Sequence, residues 1–162
     1  IAVIEDLFGR GRDAIKMIEG LSDEALHAAP APCIAWHVWR MGRSIDYNIS
    51  PLLGREQLWT DAGWHDRFGM TANPRDFQPG FPPPNEIVES FRAPSAALLG
   101  EYLEATLALV SEYLSTLTAV DLDTEIDVGR YAYPVTIAIR LVSVGGSLAQ
   151  STGAIRYRLW MA

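Results

Sequence analysis

The 162-residue sequence holds one cysteine (Cys33), one lysine (Lys16) and three histidines (His27, His37 and His65). A single cysteine cannot close an internal disulfide, and it excludes a metal site built from cysteine clusters. Three histidines allow a three-imidazole site only if all of them converge. No apolar run reaches the roughly eighteen residues a membrane helix needs, so no membrane partner is expected. Gly-rich phosphate loops, a Gly-x-Ser-x-Gly elbow and a His-Glu-x-x-His motif are all missing. The stretch from Ile1 to Glu19 mixes charged with apolar residues, unlike a signal peptide, and the expected location is cytoplasmic. Basic residues number 13 against 20 acidic ones, for a net charge of −7. Such a surface repels phosphate backbones, so no nucleic-acid partner is expected.

What is present is ordinary for a globular chain: 49% hydrophobic and 20% charged residues. The length fits one domain spanning 1–162. Ile4, Leu7, Phe8, Ile15 and Ile18 fall at helical spacing, although Gly9 and Gly11 weaken that helix. Gly20 suits its stop, and Ser22 caps a short turn that ends at Pro30. From Cys33 to Leu53 the residues Ile34, Trp36, Val38, Trp39, Met41 and Ile45 form a broad buried face on a second long helix. Arg43 and Asp46 can pair along it.

From Arg55 to Pro84 the helical pattern dissolves into aromatics, Gly, Pro, Asp and Asn. That stretch is either a loop pinned over the core by its own aromatics or a substrate lid. Asn85 is expected to cap a third helix, which Pro94 interrupts or kinks and which runs on through Leu98, Tyr102, Val110 and Leu117. Residues 118–133 suit a short hairpin or an irregular loop. From Pro134 to Trp160, Val135, Ile137 and Ile139 alternate as in a strand, but the length favours a fourth helix with Pro134 at its first position. The expected fold is all-α, a four-helix bundle with one long loop between helices two and three.

The run Ile34-Ala35-Trp36-His37-Val38-Trp39-Arg40-Met41-Gly42-Arg43-Ser44-Ile45-Asp46 resembles the second-helix signature of the DinB/YfiT-like superfamily, roughly Ile-Ala-Trp-x-x-Trp-His-x-Ala-Arg-x-x-Asp. Gly54-Arg55-Glu56-Gln57-Leu58-Trp59, Gly63-Trp64, Asp66-Arg67-Phe68-Gly69, Phe91-Arg92-x-Pro94-Ser95 and Tyr113-Leu114 are also similar to that group. So is the last helix, from Leu141-Val142-Ser143-Val144 through Tyr157-Arg158. The resemblance rests on many weak matches in the right order. It implies an up-down-down-up connectivity, homodimers, and a zinc or nickel ion held by three histidines. One of these lies on the second helix and two lie four apart on the last. It also implies thiol-transfer chemistry, with mycothiol, bacillithiol or glutathione as the thiol, or maleylpyruvate isomerisation that depends on mycothiol.

Mapped onto this sequence, the second-helix ligand position falls on Arg40 and the paired positions fall on Ser147 and Ser151. Un-ionised serine is a poor zinc or nickel ligand, and a guanidinium repels a cation. Between Pro134 and Ala162 there is no His, Asp, Glu or Cys at any register. The expectation is therefore no catalytic metal and no cofactor.

Three readings of the replaced site stay open. In one, Arg40, Ser147 and Ser151 line a cavity for a small anionic molecule, with His37 beside them. In another the cavity has collapsed, Arg40 pairs with Glu101 or Glu104, and the chain is a structural or stress-related interaction module. In the third, His37 is the candidate catalytic residue of a relay with Ser147 or Ser151. A metal-dependent thiol S-transferase is a further alternative for the whole protein. His27 is expected to face solvent, and His65 to be a loop cap or surface residue. Cys33 is expected to be a buried structural residue, and the five tryptophans to be core and loop anchors.

Overall fold

The computed structural model describes residues 1–72, 82–127 and 135–162. It is mostly helical. The chain runs α1 (Ala2–Ile18), α2 (Asp23–Leu26), α3 (Ile34–Ile49), α4 (Leu58–Asp61), α5 (Trp64–Arg67), α6 (Asn85–Ser90) and α7 (Ala96–Ser115). The two short strands β1 (Glu125–Ile126) and β2 (Val135–Thr136) follow, and α8 (Ile137–Met161) closes the chain. The all-α expectation holds, with the two strands as a small addition. They pair antiparallel, Glu125 with Thr136 and Ile126 with Val135; β1 falls in the stretch 118–133 expected as hairpin or irregular loop, and β2 lies beyond it, where the strand-like alternation from Val135 begins.

Four helices are long, and their apolar faces meet in one continuous core that includes Phe8, Ile45, Leu103 and Leu148. α1 packs on α7 and α8, and so does α3. Two close approaches set the α1 packing. A Cβ on Gly11 would come within 2.9 Å of Leu107 on α7, and one on Gly145 within 2.7 Å of Leu7 on α1. Gly9 and Gly11 therefore do not weaken α1 as expected. The helix is continuous, because tertiary packing that Gly11 permits outweighs its low helix propensity.

Helix ends follow local chemistry. Ser22 caps α2 by accepting from the Ala25 N–H at 3.1 Å, as its sequence position suggests. Pro51 has no N–H to continue the α3 ladder, so the expected run to Leu53 ends as α-helix at Ile49 and tightens into a 3₁₀ turn, Ser50–Leu53. Gly54 then closes that turn in the left-handed region at φ 68°.

The third helix is broken rather than kinked. α6 ends at Ser90, an extended stretch carries Pro94, and α7 starts afresh at Ala96. Ser95 caps the new helix by accepting from the Leu98 N–H at 3.0 Å. Asn85 is not the cap of α6: it is the first helical residue, Pro84 precedes it, and no side-chain cap forms. The last helix starts three residues after the expected Pro134, which lies outside the described residues. Thr136 caps it, accepting from the Ile139 N–H at 3.2 Å, because Val135 and Thr136 are held by β1.

Candidate functional site

α3 and α8 meet along a polar seam, and this seam brings Arg40 and Ser151 together. The Arg40 guanidinium donates through Nη1 to Ser151 Oγ at 3.5 Å. Arg40 is half-buried and Ser151 is buried. Ser147 is half-buried one helical turn before Ser151, on the same side of α8. Further along, Arg140 donates to Asn48 Oδ1 at 3.5 Å. The two contacts run in opposite order along the chain, so α3 and α8 are antiparallel.

His37, one turn before Arg40 on α3, is half-buried. Burial lowers its pKa below the ordinary histidine value, and the positive charges of Arg40 and Arg158 push it the same way. Arg158 lies two turns beyond Ser151 on α8. Its guanidinium is committed to backbone carbonyls, those of Pro30 and Ala28, before α3. Arg158, Arg140 and Asn48 were not among the expected site residues. The seven-residue spacing of Ser151 and Arg158 places both on one helix face and could have flagged the first.

Two of the three open readings call for contacts at this seam that are absent among the described residues. Among the described residues Arg40 has no carboxylate partner. Glu101 on α7 pairs instead with Arg67 at 2.5 Å, and Glu104 is exposed. Gly42, Arg43 and Asp46 of α3 meet Tyr102 of α7, whereas Arg40 reaches Ser151 of α8. Likewise, among the described residues His37 makes no hydrogen bond to Ser147 or Ser151, and Ser151 Oγ accepts from Arg40.

The seam is electropositive in an acidic protein. On this side α8 carries Arg140 and Arg158, and the helix has no carboxylate. The one carboxylate of α3, Asp46, is fully buried and turned elsewhere. The metal that the resemblance implies does not fit these residues. A permanent cation stands where one ligand should be, and it is hydrogen-bonded to the hydroxyl that would have to be another. Among the described residues no three His, Cys, Asp or Glu side chains cluster as metal ligands.

Behind the seam lies a buried polar network that fixes α3. Asp46 accepts from Ser50 Oγ, the Leu58 N–H and the Trp59 N–H, each at 2.8 Å, and from the Tyr102 hydroxyl at 2.9 Å. Arg43 Nη1 lies 3.6 Å from Asp46 and donates to Gln57 Oε1 at 2.9 Å. Its guanidinium sits 4.9 Å from the Trp59 ring centre, over the ring. The pairing of Arg43 with Asp46 along the helix is therefore present. Its larger effect is to hold residues 57–59 against the core, where Trp59 is completely buried. Over 55–72 the long loop is thus pinned by its own aromatics, Trp59 and Phe68. Its continuation through Phe77 and Phe81 lies outside the described residues.

His27 does not face solvent. Its side chain is 3% exposed, its Nε2 accepts from the Ala93 N–H at 3.0 Å, and its Nδ1 donates to the Asp23 carbonyl at 2.9 Å. It ties α2 to the segment before α7 across the chain. His65 lies within the one-turn helix α5 rather than in open loop, partly exposed beside Asp66 and with its Nδ1 3.3 Å from the Met70 carbonyl oxygen. Cys33 is buried at the start of α3. Trp160 is an exception to the anchoring expectation, at 79% exposed. Among the described residues, no helix is long and apolar enough to cross a membrane.

No protein-family model matches the chain, and no curated protein matches it. The fold is similar to that of a conserved protein from Enterococcus faecalis known from a crystal structure. The two share 24% identity over 97% of this chain and 93% of that one, with a TM-score of 0.82. At that identity the likeness shows the fold alone.

Proposed function

We propose that the chain binds a small anionic molecule at the seam between α3 and α8, with Arg40 as the primary contact and Ser147, Ser151 and His37 around it. The observation that carries this reading is the state of Arg40. It is half-buried, it lacks a carboxylate partner among the described residues, and its hydrogen bond to a neutral hydroxyl leaves guanidinium donors over. A carboxylate or phosphate group would take up those donors in the bidentate geometry that guanidinium favours. Neighbouring arginines and the lack of any acid on α8 favour the same charge.

The reading includes a DinB/YfiT-like four-helix bundle with up-down-down-up connectivity. Helix directions support it. α8 runs parallel to α1, since Leu7 lies at Gly145 and the Arg10 carbonyl at Thr152. α7 opposes α1, since Gly11 lies at Leu107 and Ile15 at Gly100, and α3 opposes α8. Cytoplasmic location, a metal-free site and homodimeric assembly belong to the same reading.

Thermal melting in the presence of small mono- and dicarboxylates and inorganic phosphate tests the site. A saturable rise in Tm is expected, with Arg40→Ala abolishing it and Arg40→Lys keeping part of it. If Arg40 serves only to bridge α3 to α8, no anion will raise Tm, or the same rise will persist in Arg40→Ala.

A further inference from the structure

α8 carries a second, outward face that nothing in the described fold covers. Ile139 is 59% exposed, Val142 47%, Tyr157 58% and Trp160 79%. Ile139 and Val142 lie three apart at one end of this side and Tyr157 and Trp160 three apart at the other, with Gly146 and Gly153 each four residues inward on the same side. Scattered exposed apolar residues need no explanation, but a helix face with an apolar pair at each end does.

The two glycines sharpen the point. Gly145, one residue away, is required by the fold, because any side chain there would strike Leu7. A Cβ on Gly146 or Gly153 would meet nothing within 4 Å. Each costs about 1 kcal/mol of helix propensity relative to alanine. The chain itself draws no packing benefit from either.

The order of residues along the face shows what would fit. If a second α8 is laid antiparallel across the first, with the two-fold axis between Ala149 and Gln150, Gly146 of one copy faces Gly153 of the other. Val142 then faces Tyr157, and Ile139 faces Trp160. Large apolar groups meet at both ends, and the two backbones can approach closely at the centre. No arginine opposes an arginine, since Arg156 falls opposite Ser143. Arg156 also comes level with the first turns of α1 in the other copy, where Asp6, 72% exposed and of opposite charge, is paired with Arg10 of its own helix at 3.4 Å and keeps one carboxylate oxygen outside that contact. A helix of 25 residues is about 37 Å long. With Val3 of the adjoining α1 exposed beside it, the face has the length for a dimer contact of ordinary size.

We infer that the outward face of α8 is an isologous homodimer interface, in which a second copy of this chain packs antiparallel, α8 on α8, in the register Ile139–Trp160, Val142–Tyr157 and Gly146–Gly153. This gives a location to the homodimer of the functional reading and is independent of the anion seam, which lies on the α3 side of the helix.

Sedimentation of the full chain, with oxidative crosslinking of a Val142→Cys/Tyr157→Cys double variant, tests it. The expected result is a dimer whose double variant forms a disulfide-linked pair, while an Ile139→Cys/Val142→Cys control does not. Cys33 is buried, which keeps the background low. Val142→Glu should raise the dimer Kd at least tenfold. Gly146→Ala should raise it too, whereas on a free face that change would only raise Tm. All of these positions are exposed or open, so the variants fold. A monomer at 100 μM would overturn both this interface and the homodimer expectation. A dimer whose Kd ignores Val142→Glu, with no selective crosslink, would overturn this face and leave the homodimer expectation standing.

Discussion

Tyr102 of α7 donates its hydroxyl proton to Asp46 Oδ2 of α3 at 2.9 Å, and both side chains lie where solvent does not reach. Asp46 is a buried carboxylate with four donors and an arginine around it. Removing one partner of such a group leaves the others desolvated and unpaired, which typically costs about 3–5 kcal/mol. Asp46→Ala should therefore lower stability by about that amount. Tyr102→Phe, which removes one of several donors, should cost about 1–2 kcal/mol. Urea denaturation followed by Trp fluorescence measures both, and a loss below about 1 kcal/mol for Asp46→Ala would mean that the network is not what holds residues 57–59.

Arg43 and Asp46 sit three residues apart, so their pairing follows from helix geometry alone. Their burial does not, because it depends on Gln57, Trp59 and Tyr102, which reach them from other elements. His27 failed for the same reason: its partner is a backbone N–H in the segment before α7, and no local pattern encodes that. By contrast the stripes of α3 and α7 were legible, since apolar spacing records which face is buried. The break before α7 was half legible, as Pro94 announces an interruption but only Ser95 in its cap geometry turns a kink into a new helix. The contact of Arg40 with Ser151 needed an alignment of two helices more than a hundred residues apart, and that came from the resemblance rather than from spacing.

Gly145 predicts a second loss. A methyl group there would come within 2.7 Å of the Leu7 Cβ, an atom close to the backbone that cannot swing aside. α1 and α8 would have to separate slightly along a contact that both helices use. Gly145→Ala should cost about 1–3 kcal/mol despite alanine's better helix propensity. The same substitution at Gly146 in the isolated chain should be neutral or stabilising. Equal effects at the two positions would contradict the packing described for α1.

Tyr102 also sets behaviour at high pH. Burial raises its pKa well above the usual tyrosine value, with Asp46 adding to the rise and Arg43 opposing it. In the unfolded chain the phenol ionises near its ordinary pKa of about 10, while the native phenol keeps its proton. The unfolded state thus binds fewer protons above that pH, and stability falls as pH rises from there. Tyr102→Phe should be less stable than the parent at pH 8 and should lose less between pH 9.5 and 11. Urea midpoints across that range measure the difference, and parallel curves for the two proteins would remove Tyr102 from the alkaline transition.

At the acid end the seam supplies the opposite test. His37 has its native pKa lowered, first by burial and then by Arg40 and Arg158. Above the ordinary histidine value of about 6.5, neither state carries the proton and His37 contributes nothing to pH dependence. As pH falls below that value the unfolded chain gains a proton that the native chain refuses, so stability declines until the native pKa is reached. His37→Gln should flatten this decline between pH 7 and pH 5. Arg40→Ala should flatten it in part, because it removes one of the two charges that oppose protonation. An anion bound at Arg40 should act in the same direction as Arg40→Ala, since it neutralises that charge and raises the native pKa of His37. Its affinity should then increase as pH drops through this range, and calorimetric titration of the parent and His37→Gln at pH 7.5 and pH 5.5 separates the two cases. A pH-independent affinity in the parent would show that His37 does not sense the bound charge, whatever binds at the seam.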